Sequence, residues 1–277
     1  MITKAEFLQQ LQEAIRQNRI TLPTLPEVAL RVRDEVDKDS ATAQKVAQMI
    51  ATDAAVSARL LQVANSPLYR GRVTIDNIQT AVTRLGNKLV RSLVVSLAMK
   101  QIFQATSDAL DKRLRALWEE SVQIAAISRV LAQSQPQLEK EQAMLAGLIH
   151  SIGSLPILTM AESFAELMAD TEKLDQFVAH LPPTIGKPIL QTWGFPDTLI
   201  LVPENYCNYS YDGGPQADYV DVVQVARLQS LGDKVDLSDA ELLQIPAFRK
   251  LGMEPEIEEI NIEGVAEDIE EVRAALL

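Results

Sequence analysis

Residues 78–97 read IQTAVTRLGNKLVRSLVVSL. Ile78, Ala81, Val82 and Leu85 fall at i, i+3, i+4 and i+7, the spacing that gathers side chains on one face of an α-helix. Gly86 stops that helix, and a second apolar face follows through Leu89, Leu93 and Leu97. The pattern predicts a helical pair joined at a glycine, with a spacing like that of a helix-turn-helix. Arg84, Lys88 and Arg91 flank the turn and invite a reading in which the second helix enters a DNA groove. The composition of that helix argues otherwise. Leu89, Val90, Leu93, Val94, Val95 and Leu97 make it apolar on most of its circumference, so it is expected inside a core, not against a phosphate backbone.

Working outward, apolar residues recur at helical spacing nearly everywhere and no run shows strand-like alternation, so the fold class is all-α. Thr24 and Glu27 have capping-box spacing, with Pro26 in the first turn of a helix expected to reach Val36. Helices are expected over Ala43 to Ala51 and Ala54 to Ala64, the second capped by Asp53 and stopped at Asn65-Ser66-Pro67. A long helix then carries Leu114, Leu117, Trp118, Val122 and Ala125, and another runs from Glu141 to Ile152. Further helices are expected over Ala161 to Asp170, Leu174 to Ala179, Pro183 to Trp193 and Tyr219 to Leu231, with Asn208 to Gln216 as a loop. The acidic tail includes Glu254 to Glu259 and ends in a helix over Ala266 to Leu277, which Val272, Ala275 and Leu276 are expected to dock on the body.

The formal charge of −12 over 277 residues disfavours direct nucleic-acid binding, which needs cationic excess on the contacting face. That total hides an asymmetry. Residues 1–105 hold 14 basic and 9 acidic side chains, a net of +5, whereas residues 106–277 hold 12 and 29, a net of −17. A lone Cys207 and a polar, interrupted N-terminus predict a cytoplasmic protein without a secretory leader. Apolar stretches such as Leu93 to Met99 are too short to cross a bilayer, so no membrane association is expected.

Five segments carry a family resemblance: LPTLPEV at 22–28, RLLQVANS at 59–66, IQTAVTRLG at 78–86, LAGLIH at 145–150 and WGFP at 193–196. In this order, across residues 21–230, they resemble the successive signatures of the HDOD family, the HD-related output domains of bacterial signalling. The resemblance implies an HD-like helical bundle over residues 106–277 joined to an additional N-terminal helical subdomain over residues 1–105. It also implies regulation in place of turnover. Catalytic HD enzymes hold metal with several His and Asp side chains, because a Lewis-acid cation must be fixed while its bound water is activated.

Position by position, the resemblance puts Glu120 where the first His of the active pattern stands, and His150-Ser151 where the His-Asp pair stands. A later His falls near Pro182, a His pair near Asn205-Tyr206, and the closing Asp near Arg227, whose guanidinium opposes a bound cation. The chain has two histidines in all, and the other, His180, sits on a different helix. No catalytic residue, metal ligand set or cofactor is therefore expected. Glu120, His150, Ser151, Asn205, Tyr206 and Arg227 are expected to line a vestigial cleft. Cys207 lacks a His partner, and Gly213-Gly214 is followed by Pro215, not by a phosphate-binding Lys-Ser/Thr.

The function expected is a signal-transduction module that binds a signalling protein. Arg59, Arg70, Arg72, Arg84 and Arg91 are its candidate contacts for a partner or an anion. The alternatives are a sensor of a small phosphate-containing ligand, such as a nucleotide or cyclic dinucleotide, and a residual metal-dependent phosphohydrolase.

Overall fold

A computed structural model describes residues 2–277 except 70, 72, 105–106, 233–234, 236 and 254–264. Its helices are α1 (Lys4–Arg16), α2 (Glu27–Val36), α3 (Ala43–Ile50), α4 (Ala54–Ala64), α5 (Ile78–Leu85), α6 (Asn87–Met99), α7 (Asp108–Leu131), α8 (Lys140–Ile149) and α9 (Ser154–Ala161). They continue as α10 (Ala165–Ala169), α11 (Thr171–His180), α12 (Pro182–Thr192), α13 (Asp197–Asn205), α14 (Tyr219–Leu231), α15 (Asp239–Leu242), α16 (Pro246–Leu251) and α17 (Val265–Leu276). Among the described residues there is no strand.

Local chemistry sets many of the boundaries. The Asp53 carboxylate accepts from the Val56 N–H at 2.9 Å and starts α4, while Asp218 and Asp221 form a reciprocal capping box at α14. The Thr24–Glu27 box does not form: Pro26 occupies the N-cap of α2 and no side chain caps it. The region expected as one helix from Glu141 to Ile152 is instead α8, a turn at residues 150–153, and α9. Residues 140–161 are long and apolar enough, by length and composition, to cross a membrane, which the sequence reading missed; the turn interrupts them and 94% of their most apolar 18-residue window is buried inside the chain.

As its composition requires, α6 is buried from Ser92 to Met99, so the helix that invited a DNA-binding reading lies in the core. It packs on α2 and α8, and α8 also packs on α7 and α14. Buried side chains from both sides of residue 105 belong to one continuous core. The N-terminal helix α1 contributes Phe7, which is fully buried with its ring 5.1 Å from Phe177 of α11 and 5.7 Å from Phe164. At the other end, α17 buries Val272 and Leu276 while Arg59 donates to the Leu276 carbonyl at 3.4 Å. The acidic stretch Glu254 to Glu259 lies outside the described residues.

Two of the segments quoted above meet in space. The Trp193 indole Nε1–H donates to the Pro23 carbonyl at 2.9 Å, and Arg33 of α2 donates to the Trp193 carbonyl. Gly194 follows with φ of +68°, a left-handed conformation that favours glycine, and it turns the chain toward α13 beneath the Arg33 guanidinium.

Candidate functional site

Three helix ends and the flanks of α7, α11 and α14 converge on a cavity of about 250 Å³. Glu120 comes from α7, His150 and Ser151 from the turn after α8, Ser154 from the start of α9, Tyr206 from the end of α13 and Arg227 from α14. Five of the six residues expected in the cleft therefore meet. Asn205 does not line it: its side-chain amide donates to the Leu201 carbonyl at 3.0 Å, and its own carbonyl accepts from Gln224.

The centre of this site is His150, which is 2% exposed. Its Nδ1 lies 2.7 Å from the Gly147 carbonyl, so this nitrogen carries the proton and donates. The imidazole packs edge-on against Tyr206, with ring centroids 4.9 Å apart. Arg227 stacks over that same tyrosine at 5.6 Å and donates to the Tyr209 hydroxyl at 2.7 Å. Where the resemblance implies an aspartate, the Ser151 hydroxyl instead pairs with Ser121 at 3.3 Å.

A divalent cation does not fit this donor set. Beside one imidazole, two hydroxyls and a tyrosine the lining holds two carboxylates, but Asp175 is paired with Arg113 at 2.7 Å, Glu120 is the one lining carboxylate without an ion pair among the described residues, and the permanently cationic Arg227 faces the same space. Among the described residues no group of three or more His, Cys, Asp or Glu side chains is arranged to hold a metal ion. Burial pushes the Cys207 thiol up, away from the thiolate a nucleophile needs.

The HDOD domain family model matches residues 22–206. The chain belongs to the HDOD domain family. Its fold is shared with a protein from Shewanella amazonensis SB2B provisionally named a metal-dependent phosphohydrolase, with a TM-score of 0.84, 29% identity and 99% of both chains covered. An HDOD domain protein of unknown function from Geobacter sulfurreducens superposes with a TM-score of 0.69 at 20% identity, over 99% of this chain and 98% of that one. A curated, uncharacterized protein from Treponema pallidum (strain Nichols) is 22% identical over 193 residues, which is 65% of this chain and 36% of that protein's length.

In this HDOD chain the candidate partner arginines have separate environments. Arg59 reaches the end of α17, Arg84 donates to the Val73 carbonyl at 2.6 Å, and Arg91 pairs with Asp37. Arg70 and Arg72 lie outside the described residues. Sequence reading missed Ser121, Ser154 and Asp175 at the HD-like cleft. Their signal is faint, because isolated serines and an acidic residue on a helix are ordinary outside the fold.

Burial holds the His150 imidazolium off, lowering its pKa from 6.5 to about 4, with the nearby Arg227 acting in the same direction and the Gly147 hydrogen bond opposing. Above pH 6.5 both folded and unfolded chains carry neutral His150. Between pH 6.5 and about 4 the unfolded chain binds a proton that the folded chain refuses, so stability falls with pH, by at most about 3 kcal/mol. Urea denaturation from pH 7 to pH 4 should show this component in the native chain and its loss in His150→Asn. An unchanged pH slope in the variant would mean that the histidine is not held neutral.

Proposed function

We propose that this chain is a non-catalytic bacterial signal-transduction module that acts by binding a signalling protein. The observation that carries this reading is the stack of His150, Tyr206 and Arg227, which fills the HD-like centre with a neutral ring, a phenol and a fixed positive charge. Among the described residues such a centre has no cluster of ligands to hold a water-activating cation, yet the surrounding core keeps the HD-like architecture. Family membership and the likeness to a Marinobacter aquaeolei VT8 structure provisionally named a signal transduction protein support a regulatory role; its TM-score is 0.66 at 21% identity, over 98% of this chain and 65% of that one.

The partner surface in this reading is the basic N-terminal face, with Arg59 and Arg84 as contacts. Capture from a bacterial extract on the immobilised chain, with quantitative mass spectrometry, tests it. A specific signalling protein should be retained by the native chain and lost from an Arg59→Glu, Arg84→Glu variant that still folds. Equal recovery on both would remove these residues from the interface, and no enrichment over an unrelated acidic protein would remove the reading.

A second reading has one observation behind it. Among the described residues Arg227 forms no ion pair, and the buried Ser154 hydroxyl lining the same cavity has no hydrogen-bond partner. This is the chemistry of a small phosphate-containing ligand in the HD-like cleft. A thermal-shift series with nucleotides at low salt tests it, since a ligand that binds the folded state alone raises the melting temperature.

A further inference from the structure

A second cavity, of about 430 Å³, opens between α2 and α6 on one side and α8 and the start of α13 on the other. Its volume lies in the ~300–1,000 Å³ range of small-molecule sites. No residue lines both this cavity and the HD-like cleft. Val95, Leu145, Phe195 and Leu199 give it an apolar wall. Its polar groups cluster around Arg91 and Ser92.

Ser92 is 4% exposed, borders the cavity and an adjoining recess, and its hydroxyl forms no hydrogen bond with any described residue. A hydroxyl in so confined a place, with no partner among the described residues, is available to donate to a bound group. Arg91 spends one Nη on Asp37, whose carboxylate is half-exposed, and keeps its Nε and second Nη free among the described residues. Arg33 is held by Asp34 and the Trp193 carbonyl as a fixed positive charge on the same wall. Facing them, α13 starts at Pro196 with no side-chain cap, so its first N–H groups and the positive end of its dipole are available.

We propose that this cavity binds a small organic anion, with its phosphate or carboxylate group at Arg91, Ser92 and the N-terminus of α13 and its apolar body against Val95, Leu145 and Phe195. Asp37 is the one acid on the wall, and the ligand's anionic group takes the Arg91 donors that Asp37 leaves unused. Because one wall belongs to the N-terminal helices and the other to the HD-like helices, occupancy favours whichever relative placement of the two binds the ligand better. This inference goes beyond the regulatory reading and does not depend on the partner surface.

The test is isothermal titration of the full chain with phenyl phosphate, and with benzyl alcohol as its uncharged counterpart. The native chain should bind phenyl phosphate saturably and benzyl alcohol much more weakly. Arg91→Met should weaken phenyl phosphate binding by about tenfold or more, as expected for loss of a charge-assisted hydrogen bond. Ser92→Ala is small enough to keep the fold if Arg91→Met does not, and should weaken binding about threefold. Absence of saturable binding, or undiminished binding in Ser92→Ala and a folded Arg91→Met, would overturn the proposal. So would binding that disappears in Arg227→Met and persists in Arg91→Met, because it would then lie in the HD-like cleft. Any of these failures leaves the partner-capture result standing, and failure of that capture leaves this titration standing.

Discussion

Gly147→Ala is expected to destabilise the chain by about 3 kcal/mol or more, although alanine is the better helix former by about 1 kcal/mol. A Cβ at this position would sit 2.4 Å from the Ala125 Cα and 2.7 Å from the Ala125 backbone nitrogen. Both obstacles are backbone atoms of α7, so neither can swing aside as the tip of a flexible side chain would. The two helices must separate, opening the core between Ile124, Ala125 and Leu148, all fully buried. His150 is disturbed as well, since the Gly147 carbonyl accepts its Nδ1–H. Urea denaturation gives the loss, and near-ultraviolet circular dichroism reports the disturbed aromatic packing. A variant as stable as the native chain would show that α7 and α8 are not in backbone contact.

Glu141→Ala is expected to cost about 3–5 kcal/mol, because it leaves a buried cation uncompensated. Arg129 of α7 is 1% exposed, and its Nη2 donates to the Glu141 carboxylate at 3.2 Å. Its guanidinium lies 5.6 Å from the Tyr69 ring, and its Nε has no hydrogen-bond partner. Burial raises the Tyr69 hydroxyl to about 12, so that group offers no negative charge in place of Glu141. The double variant Arg129→Leu, Glu141→Ala should recover much of the loss, since the charge that needed compensation is gone. If the single and double variants are equally destabilised, the cost comes from packing and not from the buried charge.

The helical core was legible because its signal is periodic. The face of Ile78, Ala81, Val82 and Leu85 became α5, and the apolar surround of α6 became a buried helix. The Asp53 cap and the extent of α14 were also readable, being set by local hydrogen bonds. Prolines hid other elements. Pro203 and Pro196 disguised α13, yet Pro196 sits at the N-cap, where proline fits. In α9, Pro156 falls in the first turn, where its missing N–H would have no intrahelical partner. The short face of Phe7, Leu11 and Ala14 in α1 was overlooked amid charged and amide residues.

For the site, ordered motif positions sufficed to bring Glu120, His150, Ser151, Tyr206 and Arg227 together, because each lies on or at the end of a core helix. Asn205 is one residue away from Tyr206, yet its side-chain amide turns back to the Leu201 carbonyl of α13, a difference of helical phase that spacing alone does not resolve. The cavity at Arg91 and Ser92 was not legible at all. It exists because Trp193 and Arg33 tie distant segments together, and nothing local marks a hydrogen bond from residue 193 to residue 23.

The central claim is that the HD-like centre neither holds a metal nor hydrolyses phosphoesters. The full chain, equilibrated with Mn²⁺ or Fe²⁺ and freed of excess metal, should be analysed by plasma mass spectrometry while the same sample is assayed on bis(p-nitrophenyl) phosphate. The structure of the His150–Tyr206–Arg227 stack predicts far less than one metal ion per chain and no turnover above buffer. One or more tightly held ions per chain, with turnover that His150→Ala abolishes, would contradict it.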